Sequence, residues 1–367
     1  MKVLICPDSF TGTLSAAEAA AAMAEGWASV APGDELVLRP LSDGGPGFLD
    51  AIGAGRGGVR HPVKVTGPLG DPIVAEHLMT GDATAWVESA AAAGLHLVPA
   101  ERRDPTRTTS RGVGELMAAA IAAGARRIVL GVGGTGTCDG GAGLLDALGA
   151  TSQPPHGLSQ GGAGLADLTS LDLAPALAAV DGITVEVATD VDVPLLGARG
   201  AARGFAPQKG ASPEQVEQLE AAMAHWGTLL GRTADGRSAA VALGAGAGGG
   251  LGAALIRLGA RRVPGIATVL EAVDLVDLIA GVDLVVTGEG AFDWQSLRGK
   301  VVAGVAAASM QRAVPVVVLA GRVEVSRREW ITAGVAAAFP AAAGPGETHR
   351  DGVARAAARA ARTWSRG

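Results

Sequence analysis

The chain of 367 residues carries a net charge of −6 and a pI near 5.6, and 48% of its residues are apolar. It has no run of five basic residues to mark a nucleic-acid footprint, two cysteines are too few for a disulfide scaffold, and no apolar stretch reaches the roughly 18 residues of a membrane span. The N-terminus turns polar at Asp8 before a secretory apolar region can form, so a cytoplasmic metabolic protein of about two domains is expected, with a small-molecule partner and neither nucleic acid nor membrane.

In chain order, Lys2 to Cys6 reads as a buried strand, followed by Pro7-Asp8-Ser9-Phe10. Ser15 and Glu18 then have the spacing of a capping box at the start of an alanine-rich helix to Trp27. The pattern repeats with a strand from Glu35 to Leu38, Ser42-Asp43-Gly44-Gly45, and a short helix from Phe48 to Ile52. From Val59 the texture changes to short alternating runs, Val63–Val65, Ile73–Leu78 and Ala85–Glu88, which predict a small mixed or antiparallel sheet. A boundary is placed at Gly57-Gly58. A helix is expected from Gly112 to Ala123.

Arg127 to Gly149 is the densest stretch. Ile128–Leu130 reads as the end of a strand, seven glycines crowd Gly131 to Gly143, and Asp139 stands where a helix starting at Gly140 would take its N-cap. Such a loop is expected to aim backbone N–H groups at an anion. Gly131, Gly133 and Gly136 formally satisfy G-x-G-x-x-G, but the acid that a dinucleotide fold needs about 20 residues on is replaced by a Pro- and Gly-rich loop. There is no P-loop, and Gly157 to Gly161 matches G-x-S-x-G without a preceding strand.

Further on, Leu165–Val180 reads as weak helix and turn, and a strand from Thr184 to Ala188 runs into Thr189-Asp190-Val191-Asp192. Pro194–Gly210 forms a loop before the helix capped by Ser212 and Gln215. Gly244–Gly252 is a second glycine-dense loop, leading to a helix from Ala253 to Leu258, and helical spacing returns from Thr268 to Ala280. The last third alternates strands (Leu284–Thr287, Val314–Leu319, Val335–Phe339) with helices, in the style of the first 58 residues. The fold expected is therefore α/β: a Rossmann-like doubly wound domain of residues 1–58 plus 282–367, with a second α/β domain, 59–281, inserted.

Seven carboxylates, Asp8, Asp43, Asp139, Asp190, Asp192, Glu289 and Asp293, follow apolar strand runs, where open α/β sheets bind ligands. Of the 30 basic residues only four are lysines, and two of these, Lys209 and Lys300, stand in glycine-flanked loops where a mobile ammonium can meet phosphate. Carboxylates for Mg²⁺, lysines for the transferred charge and glycine-rich loops are the equipment of phosphoryl transfer. The histidines show no zinc spacing.

On these residues the chain resembles the two-domain bacterial glycerate kinases, which lack a P-loop. The likeness runs end to end through PDSFTGTLSAAEAA, PLSDGGPG, RTTSRGVGEL, GVGGTGTCDGGAGLLDALGA, TDVDVPLLGARGAARGFAPQKGA, GAGAGGGLGAAL and DLVVTGEGAFDWQSLRGK. It implies ATP- and Mg²⁺-dependent phosphorylation of D-glycerate, usually to 2-phosphoglycerate, in a cleft between the domains. Accordingly Asp190, Lys209 and Asp293 are the catalytic candidates and Asp192 and Glu289 the metal ligands. Asp8, Ser9, Asp43, Gly44, Gly45, Gly133, Gly134, Thr135, Asp139, Gly140, Gly141 and Lys300 are the substrate- and nucleotide-binding candidates. The chain departs from the family pattern at Thr11, Pro46, Cys138, Val193 and Ala291, where lysine, an acid, asparagine or a small polar residue, asparagine and arginine are usual. The rival readings are an NAD-dependent oxidoreductase acting on a small hydroxy acid and a non-catalytic ligand-binding relative; the oligomeric state stays open, a homodimer among the options.

Overall fold

A computed structural model describes residues 1–10, 12–297 and 299–365. Thr11, one of the departures noted above, lies outside the described residues. The strands, in chain order, are β1 (Lys2–Ile5), β2 (Glu35–Leu38), β3 (Val59–Thr66), β4 (Pro72–Met79), β5 (Thr84–Glu88), β6 (Arg127–Gly131), β7 (Thr151–Gln153), β8 (Ser170–Asp172), β9 (Thr184–Ala188), β10 (Arg261–Val263), β11 (Leu284–Phe292), β12 (Val316–Val323) and β13 (Ala337–Pro340). The helices are α1 (Ala16–Ala28), α2 (Phe48–Arg56), α3 (Ser89–Ala93), α4 (Arg111–Ala122), α5 (Ala142–Ala147), α6 (Gly161–Gly164), α7 (Ala174–Ala179), α8 (Ala201–Phe205), α9 (Pro213–Leu230), α10 (Leu251–Arg257), α11 (Gly265–Ala272), α12 (Leu275–Ala280), α13 (Val301–Met310), α14 (Arg327–Thr332) and α15 (His349–Trp364).

The chain divides into two compact units, one of residues 1–43, 50–57 and 266–367, the other of residues 44–49 and 58–265. The first unit carries a sheet in the order β2-β1-β11-β12-β13, with every neighbouring pair parallel. Counted along the unit's own strands this is 2-1-3-4-5, one of the two common doubly wound orders. Parallel sheets need cover on both faces, and the continuous apolar runs Val316–Ala320 and Leu284–Val286 supply it. Val317 and Leu319 pack with Met23 and Trp27 of α1 and Ala356 and Ala360 of α15, while Val318 and Ala320 pack with Val302 and Ala306 of α13. Gly26 lets α1 approach α15 so closely that a Cβ there would stand 1.9 Å from the Ala354 carbonyl oxygen.

The second unit is built on a six-stranded sheet, β10-β9-β6-β5-β4-β3, antiparallel among β3, β4 and β5 and parallel from β5 to β10. The expected capping boxes at Ser15, Ser212 and Ser326 all form.

Three local expectations are corrected. Residues 266–281 group with the first unit, because α12 packs on α13 and a Cβ at Gly55 would stand 2.8 Å from the Val273 Cα. Residues 44–49 group with the second unit, where the Glu88 carboxylate accepts from the Gly47 N–H at 3.1 Å and the Leu49 N–H at 3.3 Å. Strand β11 runs on to Phe292, so Glu289 lies inside it, opposite Ala320, and not in the loop after it.

Candidate functional site

In the first unit the strand order reverses between β1 and β11, the switch point where doubly wound sheets leave a ligand crevice at the strands' carboxyl ends. Past the end of β1 the chain keeps to the edge of β11: the Cys6 N–H donates to the Val286 carbonyl and the Asp8 N–H to the Gly288 carbonyl, each at 2.8 Å. That path carries Asp8 to the neighbourhood of Glu289. Burial and the Asp43 and Glu289 carboxylates push Asp8 well above the usual carboxylate range, against the Ser9 N–H, which donates to its Oδ1 at 2.6 Å, and the Lys300 ammonium.

Glu289 is 6% exposed, and burial raises it to about 7; the Ser296 hydroxyl and the Lys300 ammonium oppose the rise, while Asp293 and Asp43 add to it. Its Oε1 is buried without a hydrogen-bond partner among the described residues. Lys300 is the N-cap residue of α13. The switch point thus gathers Asp8, Ser9, Asp43, Glu289 and Lys300 of the sequence candidates.

Asp293 is brought there too, in a different capacity. Its Oδ1 accepts from the Gln295 N–H at 2.7 Å and the Ser296 N–H at 3.2 Å, so it closes the turn after β11. Sequence reasoning missed Ser296, fully buried, whose hydroxyl is 3.2 Å from the Ala291 carbonyl and also binds Glu289. Its only sequence signal was the three-residue offset from Asp293, the spacing of an Asx-type cap.

In the second unit the glycine loop after β6 serves packing first. The N–H groups of Gly133, Gly136 and Gly140 donate to the carbonyls of Gly44, Ala93 and Gly249. A Cβ at Gly133 would stand 2.7 Å from Gly45 Cα, and one at Gly249 would stand 2.0 Å from the Thr137 carbonyl. Of the amides expected in an anion nest, those of Gly133, Gly136 and Gly140 are already paired, and the absent side chains let three loops touch. The dinucleotide reading loses its loop for the same reason.

Asp139 is corrected as well. It is not the N-cap residue of α5, a position taken by left-handed Gly141 (φ 76°). Fully buried, it accepts from the Ser110 N–H at 2.7 Å and hydroxyl at 2.8 Å, and from the Gly141 and Gly143 N–H groups at 3.2 and 3.3 Å. Burial raises its pKa against those bonds. Gly140 is similarly internal, its carbonyl accepting from the Trp226 indole at 2.9 Å.

Lys209 does not swing. It is 4% exposed, and its ammonium donates to Thr135 Oγ1 at 3.2 Å and to the Thr137 carbonyl at 2.7 Å, with burial lowering its pKa. The short turn Pro207–Lys209 aims the side chain inward, which the Gly/Pro texture of the loop concealed. Asp190, half-buried at the end of β9, accepts from the Gly265 N–H at 3.1 Å, and Asp192 is exposed. Gly44 and Gly134 adopt positive φ (97° and 70°), and Pro46 packs on Gly134. Of the other departures, Cys138 and Val193 are buried and Ala291 lies in β11.

The model of the glycerate kinase family matches residues 3–365. The chain belongs to the glycerate kinase family. It is 43% identical to the glycerate kinase of Bacillus subtilis over 88% of this chain and 85% of that one. It is 42% identical to the glycerate 2-kinase of Escherichia coli K12, again over 88% and 85%. A crystal structure presented as that of a glycerate kinase 2 from Salmonella typhimurium LT2 superposes with a TM-score of 0.79 at 37% identity, covering 99% of this chain and 98% of the other. As a family member the chain is an enzyme, a phosphotransferase with an alcohol group as acceptor. Among the described residues no helix is long and apolar enough to cross a membrane.

Proposed function

We propose that the chain transfers the γ-phosphoryl group of ATP to the 2-hydroxyl of D-glycerate with Mg²⁺, giving 2-phosphoglycerate and ADP. The observation that carries this is the switch-point cluster, in which Asp8, Asp43 and Glu289 crowd together and a single lysine, Lys300, faces them. Burial and neighbouring carboxylates raise the pKa values of Asp8 and Glu289, and a bound cation would relieve that penalty.

Among the described residues no group of three His, Cys, Asp or Glu side chains is spaced to hold a metal ion. Mg²⁺ does not need one, since it is commonly held by one or two carboxylates, with phosphate oxygens and water completing its shell. The unpartnered Oε1 of Glu289 fits such a ligand, with Asp8 beside it. When bound, the ion neutralises charge on the phosphate oxygens.

This chain's residues do the rest. Lys300 supplies a point charge to the nucleotide phosphates. Asp190 accepts the proton of the substrate hydroxyl as its oxygen bonds to phosphorus and the bond from phosphorus to the bridging oxygen of ADP breaks. Lys209 and Asp293 act as positioning residues, the one holding Thr135 and Thr137, the other the turn next to Glu289. The 2-position is favoured by the likeness to a glycerate 2-kinase.

The test is ADP release with D-glycerate and Mg-ATP, followed by NMR assignment of the phosphate ester. Release that depends on both D-glycerate and Mg²⁺, with the ester at carbon 2, supports the reading. Turnover with NAD and none with ATP overturns it.

A further inference from the structure

The turn that follows β11 hides one polar side chain. Trp294 and Gln295 are exposed, yet Ser296 beside them is fully buried. Asp293 and Ser296 close the turn reciprocally: the Asp293 N–H donates to Ser296 Oγ at 3.0 Å, and the Ser296 N–H donates to Asp293 Oδ1 at 3.2 Å. This closure folds Ser296 back over the end of β11, where its Oγ lies 3.2 Å from the Ala291 carbonyl oxygen. The same hydroxyl reaches the Glu289 carboxylate.

A hydroxyl has a single proton to give. Around that of Ser296 stand the Ala291 carbonyl, Asp293 Oδ1 at 3.4 Å and the Glu289 carboxylate. Asp293 Oδ1 already accepts from the N–H groups of Gln295 and Ser296, at 2.7 and 3.2 Å. The carbonyl is neutral, and a hydrogen bond to an ionised group is about twice as strong as one between neutral groups. An ionised Glu289 is therefore the preferred destination of the proton. Burial is the strongest influence on Glu289 and opposes ionisation; the Ser296 hydroxyl comes next and favours it, ahead of the Lys300 ammonium. Glu289 Oε1 has no hydrogen-bond partner among the described residues, so the serine braces the carboxylate and leaves that oxygen to a ligand.

We propose that Ser296 is a positioning residue for Mg²⁺, holding the Glu289 carboxylate from the turn while Oε1 stays free for the ion. The inference rests on the Mg²⁺- and ATP-dependent reading given above. Partners that orient a ligating carboxylate are worth about 10- to 100-fold in metal affinity. A serine that served only the turn would cost stability on removal and leave the demand for Mg²⁺ unchanged.

Urea unfolding of the full chain over a series of Mg²⁺ concentrations reads ion binding without turnover, and the Mg²⁺ dependence of ADP release with D-glycerate reads it during turnover. Ser296→Ala should need about tenfold more Mg²⁺ for half of either effect. Its KM for D-glycerate should stay within about twofold of wild type, since the substrate is bound elsewhere. Ser296→Cys, which keeps the shape with a much weaker donor, takes its place where the alanine chain does not fold. Ser296→Thr keeps the hydroxyl and should hold the Mg²⁺ demand within about threefold of wild type. Wild-type Mg²⁺ demand in the alanine or cysteine variant, or a threonine variant as demanding as the alanine one, overturns the positioning role and leaves the kinase reading intact. A wild-type chain whose stability and ADP release both ignore Mg²⁺ overturns that reading and the inference together.

Discussion

Glu289→Gln should make the protein more stable and inactive, and the gain should grow with pH. Burial lifts the Glu289 carboxyl from its ordinary 4.5 to about 7. At about 1.4 kcal/mol per pH unit, the folded state is penalised by about 3 kcal/mol once the carboxylate is fully ionised. The sign follows from proton binding: between 4.5 and 7 the folded chain holds a proton that the unfolded chain has released, so stability falls as pH rises through that window. Glutamine keeps the shape, carries no charge and removes the slope. Urea unfolding of both proteins in chelator, at about pH 5 and about pH 8, should show the advantage of the variant growing by about 2 to 3 kcal/mol between the two. Any packing cost of glutamine is common to both pH values and cancels. An advantage that stays constant with pH would refute the claim that Glu289 is held protonated by burial. Added Mg²⁺ should stabilise wild type and leave Glu289→Gln nearly unmoved, since binding to the native state alone raises stability.

Lys209→Met should destabilise the fold by about 1 to 3 kcal/mol near neutral pH, because the buried Thr137 carbonyl loses its donor. Burial lowers the Lys209 pKa from its ordinary 10.5, so wild type gains stability as pH rises through the window below that value; the gap to the variant should widen there in denaturant titrations, and a gap that narrows would contradict the buried placement. Asp139→Ala should cost about 3 kcal/mol or more, because it strips the acceptor from three backbone N–H groups at once. A melting temperature within a degree or two of wild type would return Asp139 to the role of a ligand contact.

The parallel sheet of the first unit was legible from the sequence because its determinants are local. Val316–Ala320 and Leu284–Val286 announce buried parallel strands by composition alone, and Ser15 and Ser326 announce helix starts through a three-residue spacing. Carboxylates that follow such apolar runs fall at the switch point by the geometry of the fold, Asp8 and Asp43 beyond their strands and Glu289 in the later part of β11. What stayed hidden depends on contacts between segments far apart in the chain. Lys209 reads as an exposed loop lysine until Thr135 and Thr137, more than 70 residues away, are seen to bind its ammonium. The glycines of the loop after β6 read as an anion nest because a glycine that clears a phosphate and one that clears a neighbouring backbone are identical in sequence. They differ only in what a Cβ would strike, and at Gly133 and Gly249 it would strike Gly45 and Thr137. The same distinction separates the two lysines: the Lys209 ammonium is taken up by Thr135 and Thr137, whereas Lys300, at the head of α13, acts on the carboxylates of Asp8 and Glu289.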